Sequence, residues 1–250
     1  MKPEKHNKMS NNLEFDIVEN SFEWLSAQRI QSVKELSSTL SAHALWELPN
    51  PYITRLILEQ DNDGSWNSSI RDTARACSAL STEGIVFTAS ARWLLARKKE
   101  NFWNRDVYDT AYALAALADM GIQDKDGCDW LFENYCPAWE QVGTTSLIIT
   151  ALKKQDSLAK TRTFETFIQE KARWILSKKR LDGGWIHIST SNLAIQALLL
   201  AGFKDDVEDS VHWLLENVHE NGAWGNKDDD INATALTLST LGFYKRLEKT

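Results

Sequence analysis

Apolar residues in this chain alternate between two patterns. Segments such as Val211-His212-Trp213-Leu214-Leu215 carry an apolar face at helical spacing and polar residues opposite, which predicts an amphipathic helix. Each such segment is followed at nearly constant distance by a tryptophan. Leu56 pairs with Trp66, Trp93 with Trp103, Trp130 with Trp139, Trp174 with Trp185 and Trp213 with Trp224, at offsets of 10, 10, 9, 11 and 11 residues. After each of these tryptophans comes a second type of helix, rich in Ala, Ser and Thr and apolar nearly all round. The pattern places these at Asp72 to Ser81, Asp109 to Met120, Thr144 to Lys154, Thr190 to Ala201 and Asp230 to Leu241. A helix apolar on every side has to be buried on every side.

The anchors step by 37, 37, 44 and 39 residues, and the longest step holds an extra polar stretch, Gln155 to Thr163. A weaker first copy begins at Trp24 and Gln28 and continues over Ser37 to Leu48. Periods near 40 residues mark repeat architectures, in which each unit buries its apolar face only against its neighbours. Six amphipathic helices around six buried ones predict an all-α fold, a closed (α/α)6 toroid with inner small-residue helices and outer Trp-bearing helices. An open solenoid would leave the second helices more polar on one face. Residues 13–250 then form a single toroid domain, and the polar residues 1–12 form a disordered tail.

Gly-x-Trp recurs at Gly64, Gly183-Gly184 and Gly222. Glycine permits a tight turn with positive φ, and an indole offers a large apolar face with one N–H donor. Trp66, Trp103, Trp139, Trp185 and Trp224 are therefore expected to tie helix ends to their neighbours. Trp103, Trp185 and Trp224 are also candidates to face a substrate cavity.

Composition narrows the function. The 250 residues, 43% hydrophobic, are enough for a sizeable core. A net charge of -7 leaves no basic surplus for phosphate backbones, so no nucleic-acid partner is expected. No apolar run approaches the ~20 residues that cross a bilayer. The polar start does not read as a secretory signal. Peripheral contact with a membrane stays open, and so does the oligomeric state. Three cysteines, Cys77, Cys128 and Cys136, are an odd and sparse set that fits a reducing cytoplasm.

W-L-L-E-N-V-H-E-N-G-A-W and L-I-L-E-Q-D-N-D-G-S-W resemble the QW repeats of squalene–hopene cyclases and related terpene cyclases. Asp72-Thr73-Ala74 and Asp109-Thr110-Ala111 resemble their D-T-A helix starts, and the same toroid occurs in protein prenyltransferase β-subunits. The likeness runs from Phe22 to Phe243, at the length of one toroid where squalene–hopene cyclases have two. It implies an enzyme that encloses a long apolar isoprenoid or polyene substrate and cyclises or isomerises it without a cofactor. In the resembling cyclases the proton comes from the middle Asp of D-x-D-D-T-A. Here Asp106-Val107-Tyr108-Asp109-Thr110-Ala111 has Tyr108 at that place, Lys227-Asp228-Asp229-Asp230 begins with Lys, and Ser69-Ile70-Arg71-Asp72 keeps only the last Asp.

Parallel inner helices gather their N-termini at one mouth. That places Asp109, Asp229, Asp230, Tyr108 and His187 as candidate catalytic groups, with Asp106, Arg71 and Asp72 beside them as binding residues. An Asp at a helix start is also simply a good N-cap, and an ion pair between Arg71 and Asp72 is expected to keep Asp72 charged. Asp126-Gly127-Cys128 has part of a zinc-site pattern but falls before Trp130, on an outer helix, so no metal is expected. Asp205-Asp206-Val207-Glu208-Asp209 fits an acidic first turn on the Trp213 helix, at the barrel end opposite Asp109. Two other readings stand beside the cyclase: a cyclase-fold enzyme steering a non-terpene substrate by shape, and a non-catalytic lipid- or partner-binding toroid.

Overall fold

The computed structural model describes residues 4–248, with side chains from Phe15 onward. Residues 1–3 of the expected tail lie outside the described residues, as do the side chains of residues 4–12, whose backbone belongs to the first helix. Twelve α-helices follow one another: α1 (Glu4–Ser26), α2 (Val33–Leu45), α3 (Tyr52–Leu58), α4 (Ile70–Ser81), α5 (Thr88–Arg97), α6 (Val107–Asp119), α7 (Lys125–Glu133), α8 (Val142–Ala159), α9 (Glu165–Ser177), α10 (Ile188–Leu200), α11 (Glu208–Glu216) and α12 (Ile231–Glu248). Among the described residues there is no strand, only an isolated bridge between Lys99 and Phe102. None of these helices is long and apolar enough to cross a membrane.

The even-numbered helices form a ring. Each packs on the next from α2 to α12, and α12 packs back on α2, so the toroid is closed. At the closing seam Trp46 Nε1 donates to the Leu238 carbonyl at 2.8 Å. Gly242 lies under that indole, where an added Cβ would come within 2.9 Å of Nε1. Arg246 donates to the carbonyls of Ala44 and Leu45, and Ser38 donates to Asn232.

Four tryptophans repeat one arrangement. The indoles of Trp66, Trp103, Trp185 and Trp224 donate to the carbonyls of Leu56, Leu94, Ile175 and Leu214, at 2.7–3.0 Å, on the outer helix just left. Their backbone N–H groups donate to hydroxyls of the inner helix about to begin: Thr73, Thr110, Ser191 and Thr234. These rings are wholly buried. Trp139 departs from the pattern. It is half-buried and stacks obliquely on Trp130.

The odd-numbered helices are linked end to start. Gln60 Nε2 donates to Ser90 Oγ in the first turn of α5, Lys98 grips Asp124 at the start of α7, and Lys179 grips Asp209 at the start of α11. The intervening turns need glycine for two reasons. Gly64, Gly183 and Gly222 have φ of +89°, +96° and +85°, and a Cβ on them would lie 2.8–2.9 Å from the backbone of Ala89, Asp209 and Asn20 respectively. Asn20 belongs to α1, so the Gly222 turn closes the outer ring as well.

Two expectations are corrected. The first inner helix starts at Val33, not Ser37, because Ser32 and Glu35 form a capping box that starts it a turn earlier. The inner helices are also not apolar all round. Each keeps a partly exposed stripe at three- to four-residue spacing, such as Arg71, Arg75 and Ser78 on α4, or Tyr108, Tyr112 and Ala115 on α6. Neighbouring inner helices cover both flanks and outer helices cover the back, so these stripes face the lumen.

Two predictions follow from this packing. Gly183→Ala meets both a positive φ and the Asp209 carbonyl, whereas Gly202→Ala at φ +89° meets open space. Both should destabilise, Gly202→Ala by about 1 kcal/mol of backbone strain and Gly183→Ala by clearly more, read from thermal melts. His43 lies edge-on to Phe22 and Tyr52; its Nδ1–H donates to the Pro49 carbonyl, and Nε2 is buried without a partner. Burial holds its pKa below the ordinary 6.5. The unfolded chain therefore takes up this proton first, and stability should fall as pH drops below about 6.5. That part of the melting-temperature profile should flatten in His43→Gln.

Candidate functional site

The inner helices begin at one mouth of the toroid, and α4 and α6 begin alike. Ser69 caps α4 by accepting from the Asp72 N–H, and Asp106 caps α6 by accepting from the Asp109 N–H. Arg71-Asp72-Thr73-Ala74-Arg75 and Tyr108-Asp109-Thr110-Ala111-Tyr112 then occupy matching positions on adjacent helices. Equivalent residues meet. The Arg71 guanidinium lies 5.2 Å from the centre of the Tyr108 ring, and that of Arg75 lies 4.5 Å from the centre of Tyr112.

Arg71 does not pair with Asp72 as expected. Its Nε donates to Asp109 Oδ1 at 2.5 Å and its Nη2 to Asp106 Oδ1 at 2.9 Å. Asp72 is bound by Arg75 at 3.2 Å and by Asn67 at 3.1 Å. The reason is helix geometry: residues 71 and 72 point about 100° apart, so Arg71 reaches across to α6 while Asp72 meets the residue one turn on. Asp109 is the most enclosed of these carboxylates, with its side chain 12% exposed and its second oxygen taken by Asn104. Both oxygens of Asp109 are thus occupied, while Asp106 takes both its bonds on Oδ1. The Tyr108 hydroxyl lies 2.9 Å from Thr144 Oγ1 on α8.

The other candidates do not join this cluster. Asp230 is not in phase with Asp72 and Asp109. It is itself the cap of α12, accepting from the Ala233 N–H, because the connection after Trp224 is longer than those after Trp66 and Trp103. Asp229 lies exposed in the α11–α12 loop, bound by His219 at 2.7 Å and by Asn221 at 2.5 Å. The hydrogen bond from His219, then that from Asn221, holds its carboxyl below the usual range. His187 takes the capping position of α10 in the same phase as Asp106, but its side chain makes no capping bond and is exposed. Trp103, Trp185 and Trp224 are sealed between the two helix layers and do not line the lumen.

The lumen wall has two characters. One turn inside the mouth, α2 and α4 present Ser38 and Arg75, while α8, α10 and α12 present Leu147, Leu193 and Leu236. Another turn in, the stripes continue with the partly exposed residues Ser41, Ser78, Ala115, Thr150 and Gln196. Near the far end Lys154 bridges to Asp119 at 2.7 Å. Arg75 and Tyr112 were not among the expected site residues. The matched spacing of R-D-T-A-R and Y-D-T-A-Y carries them.

Among the described residues no three His, Cys, Asp or Glu side chains gather as metal ligands. Cys128 lies on the outer helix α7, and burial pushes its thiol up to about 12. The acidic stretch from Asp205 forms a 3-10 turn and the first turn of α11. It follows Lys204, whose Nζ donates to the Leu247 carbonyl at the C-terminal end of α12, and Asp209 is taken by Lys179.

No protein-family model matches the chain, and no curated protein matches it by sequence. Solved structures match it by shape. It superposes on the type II terpene cyclase MstE from Scytonema with a TM-score of 0.70 and 14% identity, covering 96% of this chain and 99% of that one. An MstE variant in complex with geranylgeranyl dihydroxybenzoate, its substrate, gives a TM-score of 0.69 at 14% identity over 94% and 98% of the two chains. The ent-copalyl diphosphate synthase from Streptomyces platensis gives 0.68 at 16% identity, covering 85% of this chain and 50% of that one. The chain thus spans half the length of the Streptomyces enzyme and nearly all of MstE. At these identities the likeness is one of fold: this is the helical toroid of terpene cyclases.

The pairing of Arg71 with Asp109 can be measured by itself. A double-mutant cycle of Arg71→Gln and Asp109→Asn should give a coupling of about 1 kcal/mol in unfolding free energy, held down by the partial exposure of Arg71. Additive losses would show that the contact is not formed in solution.

Proposed function

We propose that this protein is a terpene-cyclase-like enzyme that takes an isoprenoid or polyene chain into the toroid lumen and cyclises or isomerises it. The observation that carries this reading is the one-sided lumen: a leucine wall on α8, α10 and α12 faces a charged cluster at one mouth, inside a closed ring of terpene cyclase shape. A hydrocarbon chain lying on the leucine wall loses water and is held folded, which converts a floppy polyene into a near-reactive conformer. The type II cyclases of like fold support a substrate of this class.

Proton initiation is assigned to Asp106. It is the carboxyl of the α4–α6 cluster with an oxygen left open, since Asp72 and Asp109 each accept on both oxygens. A proton on Asp106 Oδ2 would pass to a double bond, forming one C–H bond and a carbocation. The carboxylate left behind is stabilised by the Arg71 guanidinium and the Asp109 N–H. Tyr108 takes the donor place of the resembling motif, but a phenol is far too weak an acid for an alkene; its hydroxyl serves with Thr144 to shape the mouth. Asp109 positions Arg71. Asp229, Asp230 and His187 stand outside this step.

The test is turnover of a linear isoprenoid, followed by mass spectrometry of products. Asp106→Asn should lower turnover by about 10²–10⁴-fold, the usual scale for loss of a general acid. Tyr108→Phe should act within about tenfold, and Asp229→Asn should leave turnover unchanged. Full activity in Asp106→Asn would remove the acid assignment. Absence of binding by any isoprenoid would remove the whole reading.

A further inference from the structure

We infer that residues 225–228, at the tip of the α11–α12 connection, form a strap over the α10–α12 side of the mouth. The strap lifts to let a ligand pass and relatches on α10 through Asn226. Ten residues separate Trp224 from the hydroxyl that its N–H meets on the inner helix, against seven after Trp66 and Trp103 and six after Trp185. The extra residues have two fixed feet. At one, the Trp224 carbonyl accepts from the Asp230 N–H at 3.1 Å. At the other, Asp229 is held by His219 and Asn221. Between them the chain doubles back so tightly that a Cβ on Gly225 would overlap the Asp228 carbonyl. At the tip, Asn226 Oδ1 accepts the N–H of Ile188, the first residue of the neighbouring helix α10, at 3.2 Å.

This latch takes the place of a cap. Helices α4, α6 and α12 are capped by side chains of their own, Ser69, Asp106 and Asp230. His187 holds the capping position of α10 without a capping bond, and the Ile188 N–H is satisfied from the next repeat instead. Water can satisfy an exposed N-terminal amide, so release of Asn226 strands no buried group. The tip is made for release. Asn226, Lys227 and Asp228 are exposed, and among the described residues the side chains of Lys227 and Asp228 make no hydrogen bond or ion pair. A segment held by one exposed hydrogen bond, with no apolar burial, opens at low free energy. Below the tip α10 presents the half-buried Ser189 and Thr190 and then Leu193, while α12 presents Asn232 and then Leu236. The strap therefore stands at the mouth end of the leucine wall, across the ring from the α4–α6 cluster. Latched, it narrows that mouth and keeps a bound chain from leaving; lifted, it clears the way. The strap does not depend on which ligand enters; it needs only a lumen that takes one.

Hydrogen exchange of the full chain tests the strap without a ligand. The amides of Ile188 and of residues 226–228 should exchange at least about tenfold faster than the buried amides of α10 and α12. Asn226→Ala should speed Ile188 further and leave the interior of α10 unchanged. An Ile188 amide as slow as the helix interior, or one indifferent to Asn226→Ala, overturns the proposal. A disulfide staple then reads passage. In His187→Cys/Asn226→Cys, with folding checked by melting curves, association of farnesol should slow at least about tenfold on oxidation and recover with dithiothreitol. Equal rates in the two redox states would overturn the gating role while leaving isoprenoid binding intact. A bridge that fails to form would show that the tip does not meet the start of α10, and overturns the latch. If farnesol does not bind the reduced chain, that counts against the isoprenoid reading, and the exchange result alone decides the strap.

Discussion

The toroid depends on one repeated contact, the tryptophan that joins the helix behind it to the helix ahead. Its indole N–H satisfies a carbonyl at the end of the outer helix, and its backbone N–H is satisfied by a hydroxyl one turn inside the inner helix. Buried donors and acceptors without partners are expensive, so the two bonds together fix both the angle of the turn and the rotation of the inner helix. Rotation is what matters for function. It decides which stripe of each inner helix faces the lumen, and hence that Arg71 and Arg75 meet Tyr108 and Tyr112 in register. The ring Trp139 lacks these bonds, and α8 is correspondingly held by other means: Gln155 donates to the Leu114 and Ile122 carbonyls, and Asp156 holds the start of α9.

Most of the fold was legible because it is repetitive. The Trp spacing, the glycine turns and the small-residue helices each repeat a local physical need, and repetition turns weak signals into a strong one. The boundaries that failed are instructive. Ser32 and Glu35 were a readable capping box, yet the weaker periodicity around Trp24 drew the inner helix start to Ser37. The mouth was harder to read. Gathering the inner-helix starts at one mouth put Asp230 beside Asp109, but the bond that sets phase runs to Thr234, ten residues from Trp224, against seven from Trp103 to Thr110. A loop length thus decides which aspartate is a cap and which points to a neighbour, and a count along the chain does not contain the hydrogen bond that settles it.

The choice of partners within the charged cluster was likewise not a matter of adjacency. Arg71 and Asp72 are neighbours in sequence but lie on different faces of α4, and the pairing that forms is between helices. What the sequence did hold was the correspondence of R-D-T-A-R with Y-D-T-A-Y. In a ring of parallel repeats, equivalent positions are spatial neighbours. Two arginines in one copy and two tyrosines in the next therefore imply stacked pairs, and the arginines, lifted onto the tyrosine faces, come within reach of carboxylates on either helix.

This cluster constrains the chemistry more than any single residue in it. Three carboxylates and two guanidiniums at one mouth leave little net charge, so the field they present is local and directional. At the Asp106 edge Oδ1 takes both hydrogen bonds, from Arg71 and the Asp109 N–H, and Oδ2 is left open. At the Arg75 edge unspent N–H donors favour negative charge. Leu147, Leu193 and Leu236 stand on the helices away from that cluster, on α8, α10 and α12. The wall is thus asymmetric, with charge and unspent N–H donors on the α4–α6 side and leucines on α8, α10 and α12.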